Sequence, residues 1–198
     1  ETEALIGLIA LYAAAGAGSF GFAEVEAALR DQPISETTQH WIFGLLLLGF
    51  GILVSLWPFH TWAPLGYGSA PTAAAMLHAG VLKKFGLYAL LRVAVPMLPE
   101  GATPWMGLLA VLCLGNILYC GLVAMRQRDL NWLIGNSSVA HMGFVFLGIA
   151  SLSLVGLTGA VVIMIAHGLL AALSFGLSGH LYQKTGTLQM HELGGLAR

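Results

Sequence analysis

The run "MLHAGVLKKFGLYALLR", Met76 to Arg92, sets two adjacent lysines, Lys83 and Lys84, inside a stretch that is otherwise almost wholly apolar. A helix that crosses a bilayer needs about 20 mostly apolar residues. In a segment spanning about 71–95 the midpoint falls near residue 83. Neither lysine then reaches an interface easily, and an ionisable group at that depth is a functional-site candidate by default. Neighbouring residues of a helix point about 100° apart, so the two ammonium groups cannot aim at one spot.

The rest of the chain supplies the same setting. Of its 198 residues, 58% are hydrophobic and 9% charged, and the mean hydropathy is +0.83. Soluble domains carry about 25% charged residues. The composition therefore describes an all-α, polytopic integral membrane protein. A net charge of −1 gives no sign of nucleic-acid binding. Cys113 and Cys120 share one apolar segment and form no CxxC, so they read as small apolar packing residues. Residues 1–20 have no basic leader region and do not read as a signal peptide. The sequence begins within an apolar segment, as an internal piece of a longer protein would.

Six segments meet the length requirement, at about 2–21, 40–57, 71–95, 104–125, 130–151 and 155–182, and 1–198 forms a single transmembrane unit. The charged stretch from Glu24 to Gln39 belongs in water or at the interface, and its start fits a short surface helix. "WPFHTWAPLGYGSAPT", rich in proline and glycine, reads as the loop between the second and third segments. His60, Trp62, Trp41 and Trp57 read as interfacial residues. One side of the membrane collects Arg126, Arg128, Lys184 and Arg198; the other collects Arg30. The positive-inside rule makes the first side cytoplasmic.

Lys84 and Lys83 point to a proton relay, because a buried lysine able to exchange a proton is rare and costly to keep. The competing reading is a lysine paired with a carboxylate on a neighbouring helix. His78 lies about 120° around the helix from Lys84, a plausible neighbour but no same-face partner. Ser137, Ser138 and His141 share a face of the fifth segment, and His167, Ala171, Ser174 and Ser178 form a small and polar stripe on the sixth. The serines suit close helix packing. His141 and His167 suit proton transfer, since histidine titrates near neutral pH. The seven histidines are spread over separate segments, without metal-ligand spacing, and no nucleophile–base pair or phosphate loop is legible.

Several ordered motifs then carry a resemblance. "PFHTWAP", "APTAAAMLHAGVLKKFGLYALLR", "NILYCGLVAMRQRDLNWLIGNSSVAHMGFVFLGI", "MIAHGLLAALSFGLSGHLY" and "GGLA" are similar to the antiporter-like subunits of respiratory complex I, of the subunit M or chain 4 type. The resemblance implies part of a larger antiporter-like helical bundle in the membrane arm of NADH–quinone oxidoreductase, a multi-pass protein of the bacterial inner (plasma) membrane. Its partners would be the other membrane-arm subunits, the lipid bilayer and protons, with no nucleic acid. It implies no cofactor in this chain, since NADH, FMN, Fe–S clusters and quinone are handled by other subunits. It also implies a proton line through Lys84, His141 and His167, whose family motifs align with "AGVLKKFGLYALLR", "SSVAHMGFV" and "MIAHG".

The sequence also departs from the family. Leu53 stands where a lysine of a broken helix is expected, Ser55 where a proline is, and Leu65 where a loop aspartate is; Asn131 and Trp132 replace a lysine and an arginine. Lys83 replaces an apolar residue, either as a substitute for the charge lost at Leu53 or as a contact to a neighbouring subunit. A subunit that keeps the scaffold but has lost pumping, a subunit of a related cation/proton antiporter or membrane-bound hydrogenase, and a free-standing metabolite transporter are the competing readings.

Overall fold

A computed structural model of the chain describes residues 2–195, which are mostly helical and form no β-strand. The helices are α1 (Thr2–Ala15), α2 (Phe22–Asp31), α3 (Glu36–Val54), α4 (Trp62–Ser69), α5 (Thr72–Met97), α6 (Pro99–Met125), α7 (Leu130–Ala150) and α8 (Leu154–Thr185). Helices α3, α5, α6, α7 and α8 are long and apolar enough to cross a membrane. The first expected span, about 2–21, is shorter than that reading: α1 stops after 14 residues. Its end is set by Gly16, at φ 63°, a left-handed conformation that glycine adopts without steric cost. Arg198, counted above toward the cytoplasmic side, and the last residues of "GGLA" lie outside the described residues.

Amphipathic α2 buries Val25 and Leu29, one turn apart, and turns Glu24, Glu26 and Arg30 outward. Side-chain caps start three of the longer helices. Ser35 accepts from Thr38 N at 3.3 Å, Asp129 from Asn131 N at 2.9 Å and Ser153 from Gly156 N at 3.1 Å. Each satisfies at least one of the backbone donors that a helix start leaves open, and Asp129 also takes Trp132 N at 3.2 Å.

The stretch from Ser55 to Ala70 differs most from the sequence reading. It is no loop in water. A Cβ built on Gly86, near the middle of α5, would lie 2.7 Å from Val54 and 3.0 Å from Phe50 O. Helix α3 therefore ends at the mid-depth of α5. The chain then runs irregularly through Ser55–Thr61 and resumes as α4, whose Gly68 lies against Trp132 at the start of α7. α3 and α4 form one interrupted crossing. Irregular backbone at such depth is tolerated only where protein or a polar cavity surrounds it. Trp57, His60 and Trp62 accordingly sit against other helices; only Trp41, 66% exposed near the start of α3, keeps an outward position.

The main core lies among α3, α5, α6 and α7, around Phe43, Leu46, Leu87, Leu109 and Phe146. A smaller cluster surrounds α4, with Ala63, Tyr67, Ala79, Val139 and Phe175. The lysines lie between these two. At one face, Leu130 N donates to Leu188 O at 3.0 Å and Met190 N to Arg128 O at 2.8 Å, tying the segment after α8 to the α6–α7 turn. That places Arg126, Arg128 and Lys184 on one side, as the charge pattern expects. The outward face of α8 is apolar and open, with Leu169, Leu173 and Leu177 exposed.

Candidate functional site

Helix α5 is not a uniform α-helix. Residues His78–Leu82 and Leu90–Ala94 form wider π turns, a device often found where a helix must present a side chain out of its regular register. Lys83 and Lys84 follow the first π turn directly. Both are buried, Lys83 at 0% exposure and Lys84 at 8%. Among the described residues neither pairs with a carboxylate; the ion pairs found there, Arg30–Glu26 and His191–Glu192, are on the surface.

Lys84 turns toward α8. Its Nζ donates to the Ala79 carbonyl one wide turn back, and lies 3.0 Å from His167 Nδ1. The approach depends on two glycines. A Cβ on Gly168 would lie 2.8 Å from Gly80 O, and one on Gly80 would lie 3.3 Å from Gly168 O. With hydrogen at both positions, α5 and α8 touch backbone to backbone one residue from His167. His167 in turn lies beside His141 of α7, with ring centroids 5.3 Å apart and tilted by 42°. His141 Nδ1 is 2.8 Å from Ser137 O.

These contacts set the tautomers. A carbonyl only accepts, so His141 Nδ1 carries a hydrogen and Nε2 of the neutral ring is the acceptor. A charged Lys84 donates to His167 Nδ1, so the hydrogen of that neutral ring sits on Nε2. One ring thus offers a proton and its neighbour has a free lone pair. Lys84, His167 and His141 form a line with a donor-to-acceptor sense.

Lys83 turns the other way. Its Nζ is 3.1 Å from Ser138 Oγ of α7 and 5.5 Å from the centre of the Tyr67 ring on α4. Tyr67 Oη is 3.3 Å from His78 Nδ1, and Trp62 packs edge-on against the same imidazole. His78 therefore faces α4 and Tyr67 rather than Lys84. Ser137 and Ser138 part company as well: the first lies 3.5 Å from His141 Nδ1, the second takes Lys83. Ser174 joins neither group and lines an open cavity with Ser178, His180 and Lys184. Lys83 is enclosed by side chains of this chain. Among the described residues, no group of His, Cys, Asp and Glu gathers as metal ligands would.

Asn116 was not singled out from the sequence, yet it holds the interrupted crossing together. Its Oδ1 accepts from Trp57 N at 2.6 Å, and its Nδ2 donates to Ser55 O at 3.0 Å and Val139 O at 3.1 Å. Trp62 Nε1 donates to Ile52 O at 3.0 Å, and Leu56 N to Gly51 O at 2.7 Å. These neutral groups satisfy the backbone where the helix stops. The available signal was a lone amide in the apolar run "LLAVLCLGNILYCGLV".

Comparison with known proteins adds the setting. The model of the family described as NADH:quinone oxidoreductase/Mrp antiporter, TM, matches residues 3–198. The chain is 38% identical over 190 residues to NAD(P)H-quinone oxidoreductase chain 4 2 of Microcystis aeruginosa, covering 96% of this chain and 34% of that protein. It is 42% identical over 184 residues to NAD(P)H-quinone oxidoreductase chain 4 1 of Synechococcus elongatus, covering 91% and 33% respectively. The chain thus spans about a third of the length of these relatives. Among solved structures it superposes on a chain of respiratory complex I from Thermus thermophilus with bound NADH, with a TM-score of 0.87 and 31% identity over 94% of this chain and 39% of that one.

Proposed function

The chain belongs to the NADH:quinone oxidoreductase/Mrp antiporter transmembrane family, and from that premise we propose that it is a proton-translocating part of the membrane arm of a complex I-like NADH–quinone oxidoreductase. It carries no redox chemistry of its own in this reading. NADH, FMN, Fe–S clusters and quinone belong to other subunits, and its partners are the neighbouring membrane-arm subunits.

One observation carries the proposal: the buried contact of Lys84 with His167 at 3.0 Å, continued by His141 at 5.3 Å between rings. The transfer is written from the tautomers above. Lys84 gives a proton to His167 Nδ1, His167 releases its Nε2 proton toward His141 Nε2, and His141 Nδ1 keeps its own hydrogen, donated to Ser137 O. Burial without a carboxylate makes either lysine charge expensive, so a small change nearby can decide whether Lys84 holds its proton. Redox chemistry elsewhere would supply that change.

A second reading rests on Leu53, which stands where the resemblance places a lysine. In that reading the chain keeps the scaffold and no longer pumps. The two separate in sealed vesicles holding the assembled complex, with proton uptake measured per electron pair. Under the translocation reading, Lys84→Ala assembles and turns over but moves at least tenfold fewer protons. Equal pumping by Lys84→Ala and wild type would leave the scaffold reading in possession.

A further inference from the structure

The Lys84 line leaves one buried cation without a task. Lys83 is fully enclosed, and no carboxylate among the described residues balances it. Keeping an ammonium in such a place is costly, and a purely structural role would be served better by an apolar side chain of similar size. Its surroundings are nevertheless organised. Ser138 of α7 accepts its hydrogen bond, and the face of the Tyr67 ring, 5.5 Å away, attracts a cation without itself being charged. Lys84, Cys120 of α6 and His167 of α8 also act on it electrostatically. Tyr67 then continues to His78, which lies one wide turn nearer the start of α5. That end of α5 meets α8 at Thr72 and Gly179, on the side where α4 ends and α7 begins.

We propose that Lys83 is a second proton-binding residue, distinct from Lys84, and that Tyr67 and His78 connect it to the membrane face at which α4 ends. The inference rests on the translocation reading above. In the step it describes, protonated His78 gives its Nδ1 proton to the Tyr67 oxygen. The Tyr67 hydroxyl proton leaves in the same motion, through water, to the free amine of Lys83. The products are neutral His78, Tyr67 as the phenol again, and Lys83 as an ammonium. No electron pair changes hands other than those that carry the proton. Two ammonium groups on adjacent residues repel, and each disfavours charge on the other. Loading Lys83 from the α4 side therefore favours release of the Lys84 proton to His167. The two lysines would act as an input and an output that are not filled together.

The test uses the full-length subunit in the assembled complex, in sealed vesicles, with protons counted per electron pair. Lys83→Leu removes the charge and its hydrogen bond and leaves an apolar side chain in their place. Tyr67→Phe keeps the ring against Lys83 and removes only the hydroxyl that meets His78. Expected is at least a tenfold loss of pumping in Lys83→Leu and a severalfold loss in Tyr67→Phe, with electron transfer retained. If Lys83→Leu does not assemble, Tyr67→Phe decides alone. Wild-type pumping by Tyr67→Phe, or by an assembled Lys83→Leu, overturns the inference. If Lys84→Ala still loses pumping in that case, the Lys84 line stands and only the second branch falls. If it too pumps normally, both readings fall together.

Discussion

The break between α3 and α4 and the pair of lysines beside it place polar groups at the same depth in an apolar bundle, and they are treated in opposite ways. At the break, neutral groups meet neutral groups. Asn116 alone makes three bonds, two to carbonyls and one from an amide, which leaves its side chain little unused capacity. At the lysines, charge is buried against histidine, serine, an aromatic ring and a single carbonyl. The first arrangement resists change. The second is balanced so that one proton more or less alters the whole group. Polarity at the break is saturated, and the polarity to which the proposed function assigns transport is not.

That contrast predicts where substitutions will be felt. The largest effect on stability belongs to the break. Asn116→Leu strands Trp57 N and Ser55 O in an apolar surrounding, at roughly 1–3 kcal/mol for each group left unpaired. The expected result is loss of assembled complex on native gels before any transport can be assayed. Normal assembly of Asn116→Leu would break the comparison at its structural end.

Gly168→Ala comes next and works from the other side. The added Cβ would meet Gly80 O at 2.8 Å, so α5 and α8 must part by a few tenths of an ångström at a cost of about 1–3 kcal/mol. Assembly should survive while pumping falls severalfold, because the spacing it disturbs is the one that lets Lys84 reach His167. Unchanged pumping would show that this contact does not limit transport.

The smallest effect is expected at Ser174, which lies outside both groups. Ser174→Ala should stay within about 0.5 kcal/mol of wild type by thermal denaturation in detergent, with pumping unchanged. A clear loss of pumping would extend the polar line along α8 beyond the described contacts.

The sequence made the helical class and the membrane setting legible, because apolar runs of about 20 residues admit little else. It made Lys84, His141 and His167 legible for the same reason, each being an ionisable group in such a run. The interrupted crossing was hidden. "WPFHTWAPLGYGSAPT" has the proline and glycine content of a surface turn, and only contacts with distant residues such as Asn116, Gly115 and Trp132 show that it lies inside the bundle. The direction of His78 was hidden too, since a regular 100° step does not allow for the π turn at His78–Leu82. Tyr67 was passed over with the loop that carries it.

His167 is the point where the central claim is most exposed, for it touches both Lys84 and His141. The decisive measurement is the number of protons moved per electron pair by the assembled complex carrying His167→Phe, in sealed vesicles beside the wild type. The account predicts retained electron transfer with a proton count reduced at least tenfold. A wild-type proton count in His167→Phe would mean that protons do not travel from Lys84 to His141 through this ring.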